Sequence, residues 1–588
     1  MRLGAHALDG SYAELELAHA GSRLRLRLAI TDEGALAGDV EIVGTAEWGL
    51  RFWYVLEAGF SDPLAKDGTI RLLVPEGEAA YLDPPVATGT CETGAAAFAT
   101  SIRPVNAFVY EDRTDVEREF EIGGYYARPP LRERGRWAAF RFNAVTPRVG
   151  FAAAVAEDGD RAFAEVRSAV AGVEDLLRGR SSTLQVESAR RAAVRDVLGW
   201  NTVWDPANRR AYTVATRGWV ATKFGGWIVW QSDAFLHAVM GAELGARETA
   251  IANLDAALSL ATARGNLAAL ASGVTSWVDR SHPPIGALAT WWAHRRLGAL
   301  DVLERAYPVL SRAHDWWFEE RDGNRNGLLE YGSSPVGDGH FVHTKLAAMD
   351  ESAMDNSPVH DEAEFRVDTH TLDVEDVGLN SLLVLEGTVL ARIAAELGRA
   401  DDTMALRDRS SRLADMVRTE LWDPDRRIFA NRRWDGAFVR SHAPTSFYPM
   451  LAGIATDEQA RLMVEEHLLD SRRFGGEWPV AGTPHDDSAA ADNVYWRGRV
   501  WPPLNLLVYL GVRRYGMDEA AAWLAARGEA MFQREWRARR SFENFNQRTG
   551  EGGDSPDADP FYTWGALLPL IADLDARGTN PWDDLGLQ

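Results

Sequence analysis

The chain has 588 residues, of which 46% are hydrophobic and 25% are charged, a composition typical of globular proteins and a length that suggests two or more domains. Its 63 Lys and Arg residues against 86 Asp and Glu residues give a net charge of −23. This excess of negative charge disfavours nucleic acid and anionic membranes as partners and suits a neutral ligand such as a sugar. The single cysteine, Cys91, excludes an internal disulfide and any cysteine-based metal cluster.

Several other classes of protein are disfavoured by missing motifs. The first residues lack the apolar run and cleavage site of a secretory signal, and no stretch reaches the roughly 20 apolar residues that span a bilayer. No Gly-rich phosphate loop precedes a helix, and no Gly-x-Ser-x-Gly nucleophile elbow is present. We therefore expect a cytoplasmic protein with no membrane partner.

Residues 1 to about 155 carry the pattern of β-strands. The clearest run is Arg23–Leu28, in which arginines and leucines alternate as they do in a half-buried antiparallel strand. Further apolar or aromatic runs follow at Arg51–Glu57, Thr69–Val74, Ala107–Tyr110 and Trp137–Phe142, with turn-forming residues between them. Short strands separated in this way predict an antiparallel β-sandwich.

The pattern becomes helical after residue 155. Ala162–Leu177 has helical spacing and Arg178–Ser182 interrupts it, so the predicted domains are residues 1–180 and 181–588. In the second domain, apolar residues recur with a period near 3.6 in about a dozen runs, separated by long polar segments. All but three of the 22 tryptophans lie in this part. Paired helices with elaborate loops at one end predict an (α/α)6 toroid with an aromatic pocket.

Two polar segments between helical runs contain the candidate catalytic groups. Glu351–Pro358 includes Asp355 and Asn356, and Ser541–Asn546 includes Glu543. Loops present catalytic groups on a rigid scaffold, and glycoside hydrolysis requires two carboxyl groups. One protonates the leaving oxygen, and the other activates water or attacks the sugar. A helix cap is the structural alternative for Asp355, and a solvated charge is the alternative for Glu543.

Other residues are suited to binding a sugar. Trp230 would stack on a sugar ring and Asp233 would accept hydrogen bonds from its hydroxyls, although Asp233 is also a good helix N-cap. Arg280, in a stiff loop before a Pro-started helix, would orient a carboxylate, bind a substrate oxygen or form a structural ion pair. Further predicted substrate-binding residues are Tyr331, Asn356, Tyr495, Trp496, Arg497, Trp501, Tyr562 and Trp564.

One loop resembles the start of an EF-hand calcium loop. Asp322, Asn324 and Asn326 place oxygen-bearing side chains at alternate positions, and Gly327 follows at the turn. The acidic residue, Glu330, is at the ninth position rather than the twelfth. We predict a structural calcium (Ca2+) site formed by Asp322, Asn324, Asn326 and Glu330, with an Asx-turn cluster without metal as the alternative. No organic cofactor is expected.

Together these segments resemble glycoside hydrolase family 63, which includes processing α-glucosidases and bacterial mannosylglycerate and glucosylglycerate hydrolases. The matching stretches, in the family's order, are Asp233–Phe235, Asp279–Pro284, Glu351–Pro358, Tyr495–Pro503, Glu543–Asn546 and Thr549–Gly552. The resemblance implies an (α/α)6 catalytic domain and an inverting mechanism. It also implies that Asp355 is the general acid and Glu543 the general base.

The chain departs from the family pattern at two positions. Ala353 stands where the family usually has Gly, and Arg499 stands where it often has Pro. The first departure should leave Asp355 in place, whereas the second alters one wall of the pocket.

The expected activity is inverting hydrolysis of a small α-glucoside or α-mannoside. Another enzyme on the same toroid is an alternative, such as a trehalase-like hydrolase, a phosphorylase, a lyase or an epimerase. A carbohydrate-binding protein without turnover is a second alternative. The presence of Glu543 disfavours a phosphorylase, and the presence of both carboxyl groups disfavours a binding protein.

Overall fold

The computed structural model describes residues 1–45, 53–60, 68–75, 83–92, 94–123, 132–184, 188–218, 224, 226–555 and 558–587. The chain divides into two compact units, Met1–Val186 and Glu187–Gln588. The first unit is built on antiparallel sheets and the second on helices, which confirms the predicted fold class.

Two antiparallel sheets make up the described part of the first unit. The larger has eight strands in the order β1-β2-β3-β4-β11-β8-β7-β6, and the smaller has three in the order β5-β10-β9. The strands are β1 (Arg2–His6), β2 (Tyr12–His19), β3 (Ser22–Ile30), β4 (Leu36–Gly44), β5 (Trp53–Gly59), β6 (Thr69–Leu73), β7 (Val86–Cys91), β8 (Gly94–Thr100), β9 (Asn106–Tyr110), β10 (Trp137–Asn143) and β11 (Arg148–Ala156).

The alternating Arg23–Leu28 run lies in β3, as predicted. Its leucines pack against the core between the two sheets, whereas Arg27 on the opposite face pairs with Asp39 of β4 at 2.6 Å. The other predicted runs coincide with β5, β6, β9 and β10, except that Arg51 and Phe52 lie outside the described residues. The two sheets therefore form the predicted sandwich, because one apolar face of each is buried against the other.

Two helices, α2 (Gly159–Ala171) and α3 (Val173–Ser182), cover the outer face of the larger sheet. The helix α1 (Arg113–Gly123) packs instead against the smaller sheet, through Val116. The sheet face under α2 and α3 is rich in alanine, and small side chains allow helices to approach a sheet closely. The predicted single helix is interrupted at Gly172, whose N–H donates to the Ser168 carbonyl and closes α2. The predicted boundary near residue 180 falls inside α3.

Twelve described helices of the second unit alternate between an outer and an inner ring. The outer helices are α4 (Ala189–Asn201), α6 (Arg247–Leu258), α8 (Leu300–Glu320), α11 (Ala400–Glu420), α13 (Asp457–Met463) and α15 (Asp518–Trp536). The inner helices are α5 (Gln231–Glu243), α7 (Gly286–Leu297), α10 (Val377–Glu396), α12 (Tyr448–Leu451), α14 (Pro502–Arg514) and α16 (Leu567–Ala576).

Two further helices, α9 (Lys345–Glu351) and α17 (Pro581–Leu585), lie outside this alternation. Ten short strands stiffen the connections between helices. They are β12 (Thr202–Asp205), β13 (Arg210–Thr213), β14 (Val229–Trp230), β15 (Leu270–Ala271), β16 (Glu330–Gly332), β17 (Phe365–Arg366), β18 (Thr371–Glu375), β19 (Trp422–Asp423), β20 (Ile428–Phe429) and β21 (Arg432–Arg433).

Burial distinguishes the two rings. All 13 residues of α5 are buried, whereas only five of the 21 residues of α11 are. A helix that is apolar all round belongs inside a core, and an amphipathic helix belongs at its surface. Helix α10 is long and apolar enough to cross a membrane, but most of it is buried inside this unit, as in a core helix. The arrangement is the (α/α)6 toroid.

The candidate site is built where the chain passes from an outer helix to the next inner helix. Asp233 lies in the first turn of α5, and Trp501 is the N-cap of α14. Trp564 lies in a 3-10 turn, Thr563–Ala566, that leads into α16. Asp355 and Glu543 lie in the connections before α10 and α16.

Candidate functional site

Three carboxyl groups from distant parts of the sequence lie within electrostatic range of one another. Asp355 follows α9, Glu543 follows α15 and Asp233 opens α5. The charge of Asp355 raises the pKa of Glu543, and the charge of Glu543 raises the pKa of Asp233. The toroid thus brings together both predicted catalytic residues and one predicted sugar-binding residue.

The segment that carries Asp355 is held by a buried ion pair. Glu351, at the end of α9, accepts hydrogen bonds from Arg321 Nε at 2.7 Å and Arg321 Nη2 at 2.9 Å. The backbone N–H groups of Ser281 and Gly332 donate to the same carboxylate at 2.9 and 2.6 Å. All four donors come from segments distant in sequence, so this one carboxylate fixes the start of the Asp355 loop.

The backbone conformation at Ala353 explains how alanine is tolerated where the family usually has Gly. Its φ is 55°, in the left-handed region where Gly is usually found. An alanine there costs about 1 kcal/mol or slightly more, because its Cβ approaches the backbone. The loop therefore keeps the shape that a glycine would adopt.

Asn356 adds a further restraint on the loop that carries Asp355, since its Oδ1 accepts from the Trp496 N–H at 2.9 Å.

The Glu543 carboxyl group is surrounded by hydrogen-bond donors. Tyr495 Oη donates to Oε1 at 3.4 Å, and Asn544 Nδ2 donates to Oε2 at 3.1 Å. Tyr562 also hydrogen-bonds to this carboxyl group. Burial and the charge of Asp355 raise the pKa of Glu543 to about 8, although the two tyrosines oppose this rise.

Asp233 is the most deeply buried of the three, with 3% of its surface exposed. Burial first, and the charge of Glu543 second, raise the pKa of Asp233 well above its ordinary value. Ser232 Oγ lies 3.5 Å from Oδ2, and Oδ1 has no hydrogen-bond partner among the described residues. A buried oxygen of this kind is suited to accept a hydrogen bond from a ligand.

An aromatic wall, which we define as Tyr495, Trp496, Trp501 and Trp564, lies beside Glu543. Trp496 stacks on Trp501 with 3.5 Å between ring centroids and 8° between planes, and Trp564 meets the stack edge-on. Trp501 Nε1 donates to the Tyr495 carbonyl at 3.2 Å. Trp501 is fully buried under this stack, so it supports Trp496 and, contrary to the prediction, does not offer a face to a sugar. An accessible aromatic face in such a wall suits the apolar face of a sugar ring.

A second aromatic group lies around Trp230. Its ring stacks on His282 at 5.9 Å and meets Trp277 edge-on at 6.0 Å. Ser232 Oγ and His282 Nδ1 are 3.0 Å apart, which links this group to Asp233.

Comparison with known proteins supplies the family. Residues 226–565 match the model of the mannosylglycerate hydrolase MGH1-like glycoside hydrolase domain, which is more than half of the chain. The chain belongs to this glycoside hydrolase family. The resemblance to family 63 drawn from the sequence is therefore confirmed.

The chain is similar to several known proteins. Mannosylglycerate hydrolase of Rubrobacter radiotolerans is 30% identical over 221 residues, 37% of this chain and 47% of that protein. The structure of the family 63 mannosylglycerate hydrolase from Thermus thermophilus with Tris and D-glycerate has a TM-score of 0.52 at 20% identity, and the match covers 65% of this chain and 99% of that one.

A bacterial glucoamylase complexed with acarbose has a TM-score of 0.58 at 9% identity, with 97% of this chain and 86% of that one covered. At this identity the likeness shows the fold alone, and its coverage includes both units. The match to the curated mannosylglycerate hydrolases spans about half of their length or less.

The two predicted substrate-binding arginines are held in ion pairs. Arg280 is fully buried, donates to Asp279 at 3.3 Å and lies 4.2 Å from the Trp277 ring centroid. Arg497 donates to both oxygens of Asp361 at 3.0 Å, and it also pairs with Asp492. These contacts favour the structural ion pair for Arg280 and a similar role for Arg497.

Tyr331 is a buried residue, with 2% of its surface exposed. It lines a cavity together with Ser232, Met354, Trp496 and Trp564. Ser232 precedes Asp233, Met354 precedes Asp355, and the two tryptophans belong to the aromatic wall. Tyr331 therefore lies among the residues that surround the predicted carboxyl groups.

Sequence reasoning missed two groups that act on the site. His282 stacks on Trp230. The charge of Asp559 raises the pKa of Glu543, after the larger effects of burial and Asp355. His282 lies within a matched motif, so its position beside predicted residues was an available signal, whereas no motif includes Asp559. The amide of Asn544, expected beside Glu543 from its place in the sequence, hydrogen-bonds to it.

The predicted calcium loop forms turns in which its own oxygens are hydrogen-bonded. Asp322 Oδ2 accepts from Gly327 N at 3.1 Å, and Glu330 Oε2 accepts from Gly323 N at 2.8 Å. Burial raises the pKa of Glu330 to about 8, which opposes metal binding near neutral pH. In the described part of the chain, no group of three or more His, Cys, Asp or Glu is arranged to hold a metal. This geometry favours the Asx-turn alternative, and calcium binding stays a prediction.

The first testable prediction concerns the buried ion pair. Arg321→Met should lower the free energy of unfolding by about 3–5 kcal/mol, because it leaves the Glu351 charge buried without its cation. Arg312→Met is a matched control on α8, since Arg312 pairs with Glu319 while 46% and 55% of the two side chains are exposed. It should cost about 0–1 kcal/mol. Urea unfolding of both variants measures the difference, and equal destabilisation would contradict the role assigned to Glu351.

The second prediction tests the calcium loop. If Asp322, Asn324, Asn326 and Glu330 bind calcium in the folded state, the melting temperature should rise as calcium replaces a chelator. Asp322→Ala should abolish that rise, and it should also lower the melting temperature in chelator, because Gly327 N loses its acceptor. An identical melting temperature in chelator and in excess calcium, with no metal found by elemental analysis, would remove the site.

Proposed function

We propose that this protein is an inverting glycoside hydrolase of a small α-glucoside or α-mannoside, with Asp355 as general acid and Glu543 as general base. The observation that carries the proposal is the gathering of Asp233, Asp355 and Glu543 in one buried aromatic site. Family membership supports glycoside hydrolysis as the reaction class. The roles of Asp355 and Glu543 are those implied by the resemblance to family 63, and the hydrogen bonds to Glu543 support its part.

The electrostatics suit a pair in which one group is protonated and the other ionised. Buried carboxyl groups that repel each other do not all ionise near neutral pH. An acid–base pair needs one protonated and one ionised carboxyl group, so this difference in protonation suits it. A proton on Asp355 removes the repulsion that helps to raise the pKa of Glu543. Glu543 is the group that accepts from Tyr495, Asn544 and Tyr562, and these donors stabilise its ionised form.

In the proposed reaction, Asp355 gives its proton to the glycosidic oxygen as the bond to the anomeric carbon breaks. Glu543 takes a proton from a water molecule, whose oxygen bonds to the anomeric carbon from the opposite face. The products are the free sugar with inverted configuration and the released alcohol. Glu543 ends protonated and Asp355 ionised, and proton exchange with solvent resets both.

Unpaired polar atoms around the site suit a polyhydroxylated ligand. Within the described residues, the indole N–H groups of Trp230, Trp496 and Trp564 are buried without a hydrogen-bond acceptor, and Asp233 Oδ1 lacks a donor. A sugar hydroxyl both donates and accepts hydrogen bonds, so one ligand can accept from the indole N–H groups and donate to Asp233 Oδ1. The sugar ring itself is uncharged, so it adds no negative charge beside these carboxyl groups.

The choice of first substrates follows the relatives. The similar curated proteins include mannosylglycerate hydrolases and a cytosolic neutral trehalase, and one similar solved structure holds D-glycerate. We therefore place mannosylglycerate first in a panel with glucosylglycerate, trehalose and nitrophenyl α-glycosides. We propose that the protein acts in the cytoplasm on this small carbohydrate and has neither nucleic acid nor membrane as a partner.

The third prediction tests the two catalytic roles. Asp355→Asn and Glu543→Gln should each fold normally and lose about 10²–10⁴-fold in turnover, because each removes one proton-transfer group. Glu362→Gln is the control, since this carboxyl group of the same connection pairs with Arg440. It should retain nearly full turnover. Near-normal hydrolysis by either catalytic variant, measured as released sugar, would refute the assignment.

A further inference from the structure

Arg499 is a buried arginine directly behind the loop that carries Glu543. About 5% of its surface is exposed, and its charge is balanced by Asp554. Nη1 donates to Asp554 Oδ2 at 3.1 Å, and Nη2 donates to Oδ1 at 2.7 Å. This forked geometry fixes the guanidinium plane. The resemblance often places Pro at this position, and a proline side chain cannot make these contacts.

The third contact of Arg499 reaches the residue next to Glu543. Its Nε donates to Asn544 Oδ1. Arginine has no hydrogen-bond acceptor, so the oxygen of the Asn544 amide must face it. The amide nitrogen then faces the opposite way, where Nδ2 donates to Glu543 Oε2 at 3.1 Å. The orientation of this amide is therefore determined by Arg499.

Two further contacts hold the segments in register. Val500 and Phe545 exchange backbone hydrogen bonds of 2.8 and 3.0 Å, which join the segment after Arg499 to the segment after Asn544. Asn546 Nδ2 donates to Asp554 Oδ2 at 2.7 Å and ties the far side of the loop to the same carboxylate. The guanidinium thus acts on a loop that has little freedom to adjust.

We propose that Arg499 is a positioning residue which, through Asn544, holds the Glu543 carboxylate in the orientation that a general base requires. This inference rests on the proposed function, because it takes Glu543 as the base. With Tyr495 at Oε1 and Asn544 at Oε2, the carboxylate cannot rotate without losing a donor. Without Arg499, the amide can turn its oxygen toward Glu543, which repels the ionised form.

The pH dependence of the reaction separates this role from a purely structural one. Asp355, Tyr495, Tyr562 and Asp559 act electrostatically on Glu543, and Glu543 in turn acts on Asp233. All of these groups are retained when Arg499 or Asn544 is replaced. An amide N–H stabilises the ionised form and keeps the pKa of Glu543 lower than it would otherwise be. Losing that donor should move the acidic limb of kcat/KM to higher pH.

The experiment compares Arg499→Met, Asn544→Ala and the double variant on mannosylglycerate, or on the glycoside that the substrate panel identifies. Each single variant should lower kcat/KM by about 10- to 100-fold through kcat, as expected when a catalytic group is misplaced. Each should also move the acidic limb upward by about one pH unit. The double variant should resemble Asn544→Ala alone, because Arg499 acts through that amide.

Arg534→Met is the matched control, because Arg534 forms an exposed pair with Glu551 of the same loop. It should leave the pH profile unchanged. Arg499→Met leaves Asp554 without its cation and can lose stability, whereas Asn544→Ala keeps the Arg499–Asp554 pair intact and tests the same link in a folded protein.

Two outcomes of these experiments would contradict the role proposed for Arg499, and a third would contradict the proposed function. An unmoved acidic limb in Asn544→Ala would overturn the proposal and restrict Arg499 to stabilising the loop. Additive losses in the double variant would show that Arg499 does not act through Asn544. Activity retained by Glu543→Gln would instead refute the proposed function, so the two failures are distinguishable.

Discussion

Repulsion among buried carboxyl groups is the constraint on which the site depends. Burial penalises a negative charge on Asp233 and on Glu543. The charge of Asp355 adds to the penalty on Glu543, and the charge of Glu543 adds to the penalty on Asp233. They do not all ionise near neutral pH. Tyr495 and Tyr562 donate to Glu543 and oppose the rise in its pKa. In the proposed roles, a proton held on Asp355 removes one cause of that rise, so that Glu543 can act as the base.

The fold brings these three carboxyl groups together at one end of the toroid, where the chain enters the inner helices. The inner helices are buried almost completely, so polar groups concentrate in the connections that lead into them. Each connection is then held by its own polar contacts, such as the Arg321–Glu351 pair before the Asp355 loop. The arginines Arg280, Arg497 and Arg499 are paired with carboxylates of the protein. Family membership, the (α/α)6 fold and the carboxyl geometry therefore support the same reaction class.

Much of the architecture could be predicted because periodicity reports burial directly. The alternation in Arg23–Leu28 predicted β3, and the 3.6-residue period predicted the rings of helices. The break at Gly172 was missed, because Ala162–Leu177 keeps helical spacing across it. A single residue that ends one helix and begins the next leaves the apolar period intact.

The site was predictable only where a motif names its residues. Asp355 and Glu543 came from the resemblance, whereas the ion-pair partners of Arg280 and Arg497 did not, because pairing depends on segments distant in sequence. The loop from Asp322 to Glu330 likewise shows that a local pattern does not reveal contacts. Its alternating oxygens are equally consistent with calcium ligands and with Asx turns, and the backbone contacts that favour Asx turns become visible only in the structure.

The configuration of the first product tests the central claim most directly. If Asp355 protonates the leaving oxygen while Glu543 activates a water on the opposite face, an α-glycoside must release the β-sugar first. Proton NMR of the anomeric signals, recorded before mutarotation, measures this with the unmodified protein. Initial appearance of the β-anomer is the predicted result. Initial appearance of the α-anomer would contradict the account, because it requires a covalent intermediate and a different role for Glu543.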